Sequence, residues 1–236
     1  MRVLYIFPHP DDESFGPACG MMAQKRAGHE VFLLTLTKGG ATKVRHEYGY
    51  SVTEMGEVRA KEMDAVIEVL QLDGFTLLDL PDSGLKEMHP KTIREAIAAH
   101  IRELRPHVVV TYPVHGISGF HDHLISHAVV KDVFLDLKDE ISELQRLAFY
   151  TLDEADAKTY SRKFQLNHST PGEIDCRVKV VKEDIDQMSR ALACYTTYLE
   201  TIKNSIGLRP EFDYACYEFF QEEKDPAVPC IFHGLS

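Results

Sequence analysis

The chain is poor in every feature that would mark it as a stapled, membrane-embedded or nucleic-acid-binding protein. Its five cysteines (Cys19, Cys176, Cys194, Cys216 and Cys230) are scattered, odd in number and form no Cys-x-x-Cys pair. That argues against a disulfide framework or a cysteine zinc site and fits a reducing compartment. No segment approaches the roughly 18 consecutive apolar residues of a membrane span. The apolar start runs into Pro8-His9-Pro10-Asp11 at once, too soon for a signal peptide. A cytoplasmic location with no membrane partner is the expectation. There is no Lys/Arg run, and the formal net charge is −11, so a phosphate backbone is a poor partner and no nucleic-acid role is expected. Gly-x-Gly-x-x-Gly and the P-loop pattern are both missing, which removes the main support for a dinucleotide- or nucleotide-binding module.

What is present is an ordinary globular composition over 236 residues, 44% hydrophobic and 27% charged. Short apolar runs at 2–7, 31–36, 75–80, 108–112 and 147–152 read as buried strands. Helical apolar spacing falls between them, at 14–27, 53–72, 90–104 and about 122–137. Alternation of this kind predicts an α/β fold, Rossmann-like, with a mostly parallel sheet and helices on both faces. Residues 173–181 alternate like an edge strand and 182–202 look helical. One domain over 1–236 is expected, with 155–236 completing it. The loop at 37–52 is long enough to be functional.

Polar clusters sit at three strand ends. Pro8-His9-Pro10-Asp11-Asp12-Glu13 follows the first strand, Asp82-Ser83-Gly84 the third, and His115 to His123, with His127 beyond, the fourth. In a parallel sheet these ends share one rim. His9 and Asp12 can reach one ion from a single turn, and a histidine from the 121–127 cluster would complete a His, Asp, His set with a position left for water. Asp11 would then lie beside that water as a base. The bland reading of Asp-Asp-Glu is an acidic helix cap, but a cap has no need of His9. His121, His123 and His127, taken alone, are ordinary solvated helix residues.

Pro8-His9-Pro10-Asp11-Asp12-Glu13 matches the (A/P)-H-P-D-D-E signature of the LmbE-like, or PIG-L-type, N-acetylglucosamine deacetylases. Asp122-His123 matches the end of that family's H-x-D-H motif, Arg59-Ala60-Lys61-Glu62 its R-x-x-E pattern, and Asp82-Ser83-Gly84 a D-S-G turn of the mycothiol-type enzymes. The similarity covers about residues 2–135, with Glu218-Phe219 resembling a late signal. The resemblance implies a metal-dependent amidohydrolase acting on a small GlcNAc conjugate, with zinc as cofactor or ferrous iron in the cell. It implies His9, Asp12 and His123 as metal ligands, Asp11 as general base, Arg59 and Asp82 as substrate contacts, and Glu13 as a support for the loop. The family's first motif histidine is replaced by Phe120, which leaves three alternatives: His121 supplies the lost imidazole, His115 does, or the reaction leans on the metal alone, with Asp122 orienting a ring. The Tyr112-Pro113-Val114-His115-Gly116 lead resembles the bacillithiol branch, whose substrate is GlcNAc-malate. The alternatives are another GlcNAc conjugate or a chitin oligosaccharide, a metal-assisted esterase, and a sugar- or nucleotide-binding module without chemistry. Subunit number is open, a homo-oligomer included.

Overall fold

The computed structural model describes residues 1–236. Seven strands, β1 (Arg2–Phe7), β2 (Glu30–Thr37), β3 (Gly74–Leu80), β4 (Val108–Thr111), β5 (Arg146–Thr151), β6 (Cys176–Lys179) and β7 (Tyr214–Phe219), form one sheet in the order β3-β2-β1-β4-β5-β7-β6. The first five are mutually parallel, while β7 runs antiparallel to β5 and to β6. The helices are α1 (Pro17–Arg26), α2 (Val52–Leu70), α3 (Pro90–Leu104), α4 (His121–Leu137), α5 (Glu154–Tyr160), α6 (Lys182–Cys194) and α7 (Leu199–Asn204). The α/β, Rossmann-like expectation with helices on both faces therefore holds.

Each face of the sheet carries its own core. Val3, Tyr5 and Phe7 point into a cluster with α1, α2 and α6, while Leu4 and Ile6 point into another with α3 and α4. That two-sided burial explains why β1 reads as a continuous apolar run. Ile93, Ile97 and Ile101 of α3 are wholly buried, each contributing about 1.5–3 kcal/mol by area.

The strand order reverses between β1 and β4, so the loops after these strands diverge and open a crevice, the usual ligand position in such sheets. Two local devices bring helices to it. Ser51 and Glu54 form a reciprocal capping box that starts α2. α4 begins directly after the β4 loop and puts Asp122 in its first turn, where the helix dipole favours an anion.

The start of α1 differs from expectation. The helix begins at Pro17, not near residue 14, because the amides of Ser14 and Phe15 both turn back to the Asp11 carbonyl, at 2.8 and 3.0 Å. Its N-cap is Gly16 and its first turn holds no acid. Asp11, Asp12 and Glu13 are therefore not a helix cap.

Candidate metal centre

His9 and Asp12 come from the turn after β1, and His123 from the first turn of α4. One ligand atom from each lies within 4.8 Å of the others. His123 Nε2 is 3.3 Å from Asp12 Oδ1, and His9 Nδ1 is 3.4 Å from Asp12 Oδ2. A tetrahedral ion with ligands at 2.0–2.2 Å holds them about 3.4 Å apart, so these donors fit a zinc-like cation.

Hydrogen bonds behind the rings fix which nitrogen faces inward. His123 Nδ1 lies 2.9 Å from the Gly116 carbonyl, to which it donates, leaving the Nε2 lone pair toward Asp12. The ring also stacks on Tyr112, with centroids 4.2 Å apart. His9 Nε2 lies 3.2 Å from Asp122 Oδ2 and 3.3 Å from Asp82 Oδ1. Donation there leaves Nδ1 for an ion. Asp122 is itself held by the backbone amides of Ser83 and Leu85. A second donor group, His9 with Asp82 and Asp122, also exists, but it needs the ring nitrogen that Asp122 already engages.

Electrostatics agree with a cation site. Burial opposes charge on His9, yet Asp12, Asp122 and Asp82 draw its imidazole up to about 10. Burial also opposes charge on Asp12, but His123 and His9 hold its carboxyl well below the usual carboxylate range. An ion would replace the bound proton, so uptake should release acid.

Asp11 stands beside this set in a forced conformation. Its φ is 85°, a left-handed value that non-glycine residues rarely adopt and that clusters at functional sites. Two partners impose it. Its amide donates to Tyr195 Oη at 2.8 Å, and its Oδ2 accepts from Arg59 Nη2 at 2.7 Å. Burial lifts the Asp11 carboxyl to about 6, against the pull of Arg59, which is near the range of a base working at neutral pH.

Arg59 and Asp82, expected as substrate contacts, already have protein partners. Arg59 is buried, donating to the carbonyls of Pro10 and Gly39 as well as to Asp11, and Tyr198 covers its guanidinium at 4.4 Å. Gly39 is required there: its φ is 64°, and a Cβ would lie 2.6 Å from Arg59 Nη1. Asp82 Oδ2 accepts from the Ala41 amide at 2.6 Å, tying the 37–52 loop to the site. Both side chains also line the cavity. Glu62, one helical turn beyond Arg59, accepts from Thr196 and Thr197 and fastens α2 to the segment carrying Tyr195 and Tyr198.

Glu13 is fully buried, and its Oε1 accepts from Tyr195 Oη at 2.6 Å. Burial pushes its carboxyl up to about 7. It does not line the cavity, and its bond to Tyr195 ties the turn to that residue.

His121 is the expected residue that the structure leaves out. It is exposed at the start of α4 and does not line the cavity, where Phe120 stands instead. His115 is also absent from the lining, its Nδ1 accepting from the Ile117 amide. His127 is buried against Phe149, with Nδ1 on the Tyr112 carbonyl. Reading the sequence missed Tyr112, whose hydroxyl donates to Asp12 Oδ1 at 2.8 Å, and Tyr195. Tyr112 follows a strand and was within reach of the rim argument. Tyr195 lies 184 positions from Asp11, with no local signal.

His9, Asp12 and His123 line a cavity of about 640 Å³. The family model described as PIG-L, GlcNAc-PI de-N-acetylase, matches residues 4–134. A 1D-myo-inositol 2-acetamido-2-deoxy-alpha-D-glucopyranoside deacetylase of Thermomonospora curvata is 32% identical over 149 residues, covering 54% of this chain and 50% of the relative. A mycothiol S-conjugate amidase of Streptomyces coelicolor is 30% identical over 152 residues, covering 57% and 52%. The chain thus spans about half the length of the curated relatives it matches. Among solved structures, a deacetylase triple mutant of the teicoplanin biosynthetic pathway shares the fold, with TM-score 0.70 at 18% identity over 94% of this chain and 99% of that one.

Proposed function

The chain belongs to the PIG-L, or LmbE-like, family of de-N-acetylases, and from that premise we propose that it hydrolyses the acetamide of a small GlcNAc conjugate, with zinc bound by His9, Asp12 and His123. The observation that carries the reading is the convergence of two inward-facing imidazole nitrogens and one carboxylate on a single point, with Asp11 beside it in a strained, doubly held conformation.

A divalent ion in that set would polarise the acetamide carbonyl and acidify an attacking water. Asp11 takes the proton of that water as the carbon–oxygen bond forms. Arg59 and Tyr195 hold its carboxylate and backbone in place for the transfer. No imidazole besides His9 and His123 lines the cavity, so Asp11 also returns the proton to nitrogen as the carbon–nitrogen bond breaks. The products are a free amine and acetate. Asp122 keeps the His9 ring turned, and Asp82 keeps the 37–52 loop over the substrate.

The relatives are named for inositol-linked and mycothiol-type substrates, which does not support the GlcNAc-malate expectation, so both conjugates belong in the test. No helix is long and apolar enough to cross a membrane; action in the cytoplasm, as one unit over 1–236, is part of the proposal. The test is product analysis of zinc-loaded protein with GlcNAc-inositol, GlcNAc-malate, chitobiose and free GlcNAc. Release of acetate and a primary amine from at least one supports the reading. No acetate from any, with one equivalent of metal bound, removes it.

A further inference from the structure

The reacting groups make one part of the cavity lining, and a second set of lining residues has a different chemistry. Half of the lining residues are hydrophobic, and more than half of these come from residue 150 onward. Leu152, Tyr160, Phe164, Leu166, Ile206 and Phe212 make this wall, around α5 and the end of α7. At about 30 Å³ per water-sized group, 640 Å³ holds about twenty, more than one amino sugar occupies.

Of the hydroxyls on this wall, Tyr160 Oη and Ser205 Oγ are already engaged, and Thr201 Oγ1 is left free. Tyr160 Oη accepts from the Glu211 amide and donates to the Glu211 carbonyl, both at 2.8 Å. Ser205 Oγ donates to the Thr201 carbonyl at 2.6 Å. Lys43 and Lys163 line the cavity, but both are exposed to solvent. At the mouth, Phe120 and Phe164 meet edge to face with centroids 5.5 Å apart, and are 46% and 40% exposed. A polyol seated against this wall would bury hydroxyls without partners, which is unfavourable. An alkyl or aryl group would lose no hydrogen bonds and would cover exposed aromatic surface.

We infer that the substrate carries an apolar substituent, alkyl or aryl, on its amino sugar, and that this wall is the subsite that selects it. The inference rests on the deacetylase reading for the sugar end but not for the apolar end. Two attachment points give the same chemistry, the glycosidic oxygen and the acyl chain, and the experiment separates them.

Zinc-loaded enzyme is assayed on free GlcNAc, GlcNAc-inositol, octyl β-N-acetylglucosaminide and N-octanoylglucosamine. At least tenfold higher kcat/KM for one octyl compound over both free GlcNAc and GlcNAc-inositol is expected, and which octyl compound wins identifies the attachment point. Equal or better turnover of GlcNAc-inositol overturns the inference while leaving the deacetylase reading intact. Calorimetry with octyl β-glucoside, below its micelle concentration, against glucose decides independently of turnover. Binding of the octyl compound alone is expected; equal or no binding overturns the subsite. If no compound releases a carboxylate, the deacetylase reading fails and this binding result still stands. In Leu166→Asn, KM for the preferred octyl substrate should rise about tenfold more than KM for free GlcNAc, the loss expected for one apolar contact; a parallel change on both overturns the assignment.

Discussion

Replacing Arg59 by Met tests whether that side chain is a clamp on Asp11 or a hand on the substrate. Its guanidinium is 3% exposed, with Nη2 2.7 Å from Asp11 Oδ2 and 2.7 Å from the Pro10 carbonyl. At a charge separation of about 4 Å and an effective dielectric near 20, the pair is worth about 4 kcal/mol. Removing one partner of a buried pair costs about 3–5 kcal/mol, because the remaining charge is stranded. The stranded Pro10 and Gly39 carbonyls add about 1 kcal/mol each at least. Arg59→Met should therefore lower unfolding free energy by about 5 kcal/mol or more in a urea titration. Asp11→Asn removes the charge that Arg59 balances, so the double variant should fall short of the summed losses by about 2 kcal/mol, a coupling typical of contacting groups. Turnover should collapse in both single variants. Additive losses within about 0.5 kcal/mol, or an Arg59→Met protein of normal stability with only a raised KM, would refute the clamp and restore the substrate contact.

Three other outcomes follow from the same geometry. Asp122→Asn should weaken zinc binding by about 10–100-fold, the usual effect of losing the partner behind a ligand histidine, as read by competition with a chromogenic chelator; unchanged affinity would show that His9 needs no orienting group. His121→Ala should keep kcat within about twofold, since the ring is exposed and outside the cavity lining, whereas a loss of about a hundredfold, the scale of a missing oxyanion donor, would return it to the mechanism. Asp156 is pushed up to about 7, by burial first and by Asp153 second. Its folded value lies above its unfolded one, so it lowers stability increasingly as pH rises from about 4 to 7. Asp156→Asn should raise Tm at pH 8 but not at pH 4, by about 1 kcal/mol after allowance for its partial exposure; an equal gain at both pH values would contradict the assignment.

The parallel half of the sheet was legible because strands covered on both faces read as unbroken apolar runs, as Val3 to Phe7 and Val108 to Val110 do. β7 was not, because Tyr214–Phe219 inserts between β5 and β6, and that pairing is set by contacts with strands 35 to 71 positions earlier. α5 was missed for a related reason: seven residues are too few for a periodic pattern to declare itself. At the site, spacing marked His9, Asp12 and one histidine of the 121–127 cluster as donors, since strand ends of a parallel sheet share a rim, and the family resemblance singled out His123. It could not assign partners. Arg59 and Glu62 form a recognisable pair on α2, but only tertiary distances reveal that one grips Asp11 and the other the 196–197 segment. Tyr195 carried no signal because a tyrosine after a helix is ordinary until its hydroxyl is found on the Asp11 amide.

The central claim is that one divalent ion is shared by the turn after β1 and the first turn of α4. The most direct measurement is an anomalous-scattering map from crystals grown with zinc. One peak bonded to His9 Nδ1, Asp12 and His123 Nε2, at about 2.0–2.2 Å, is the predicted result. A peak among His9, Asp82 and Asp122, or no peak at either group, would contradict it.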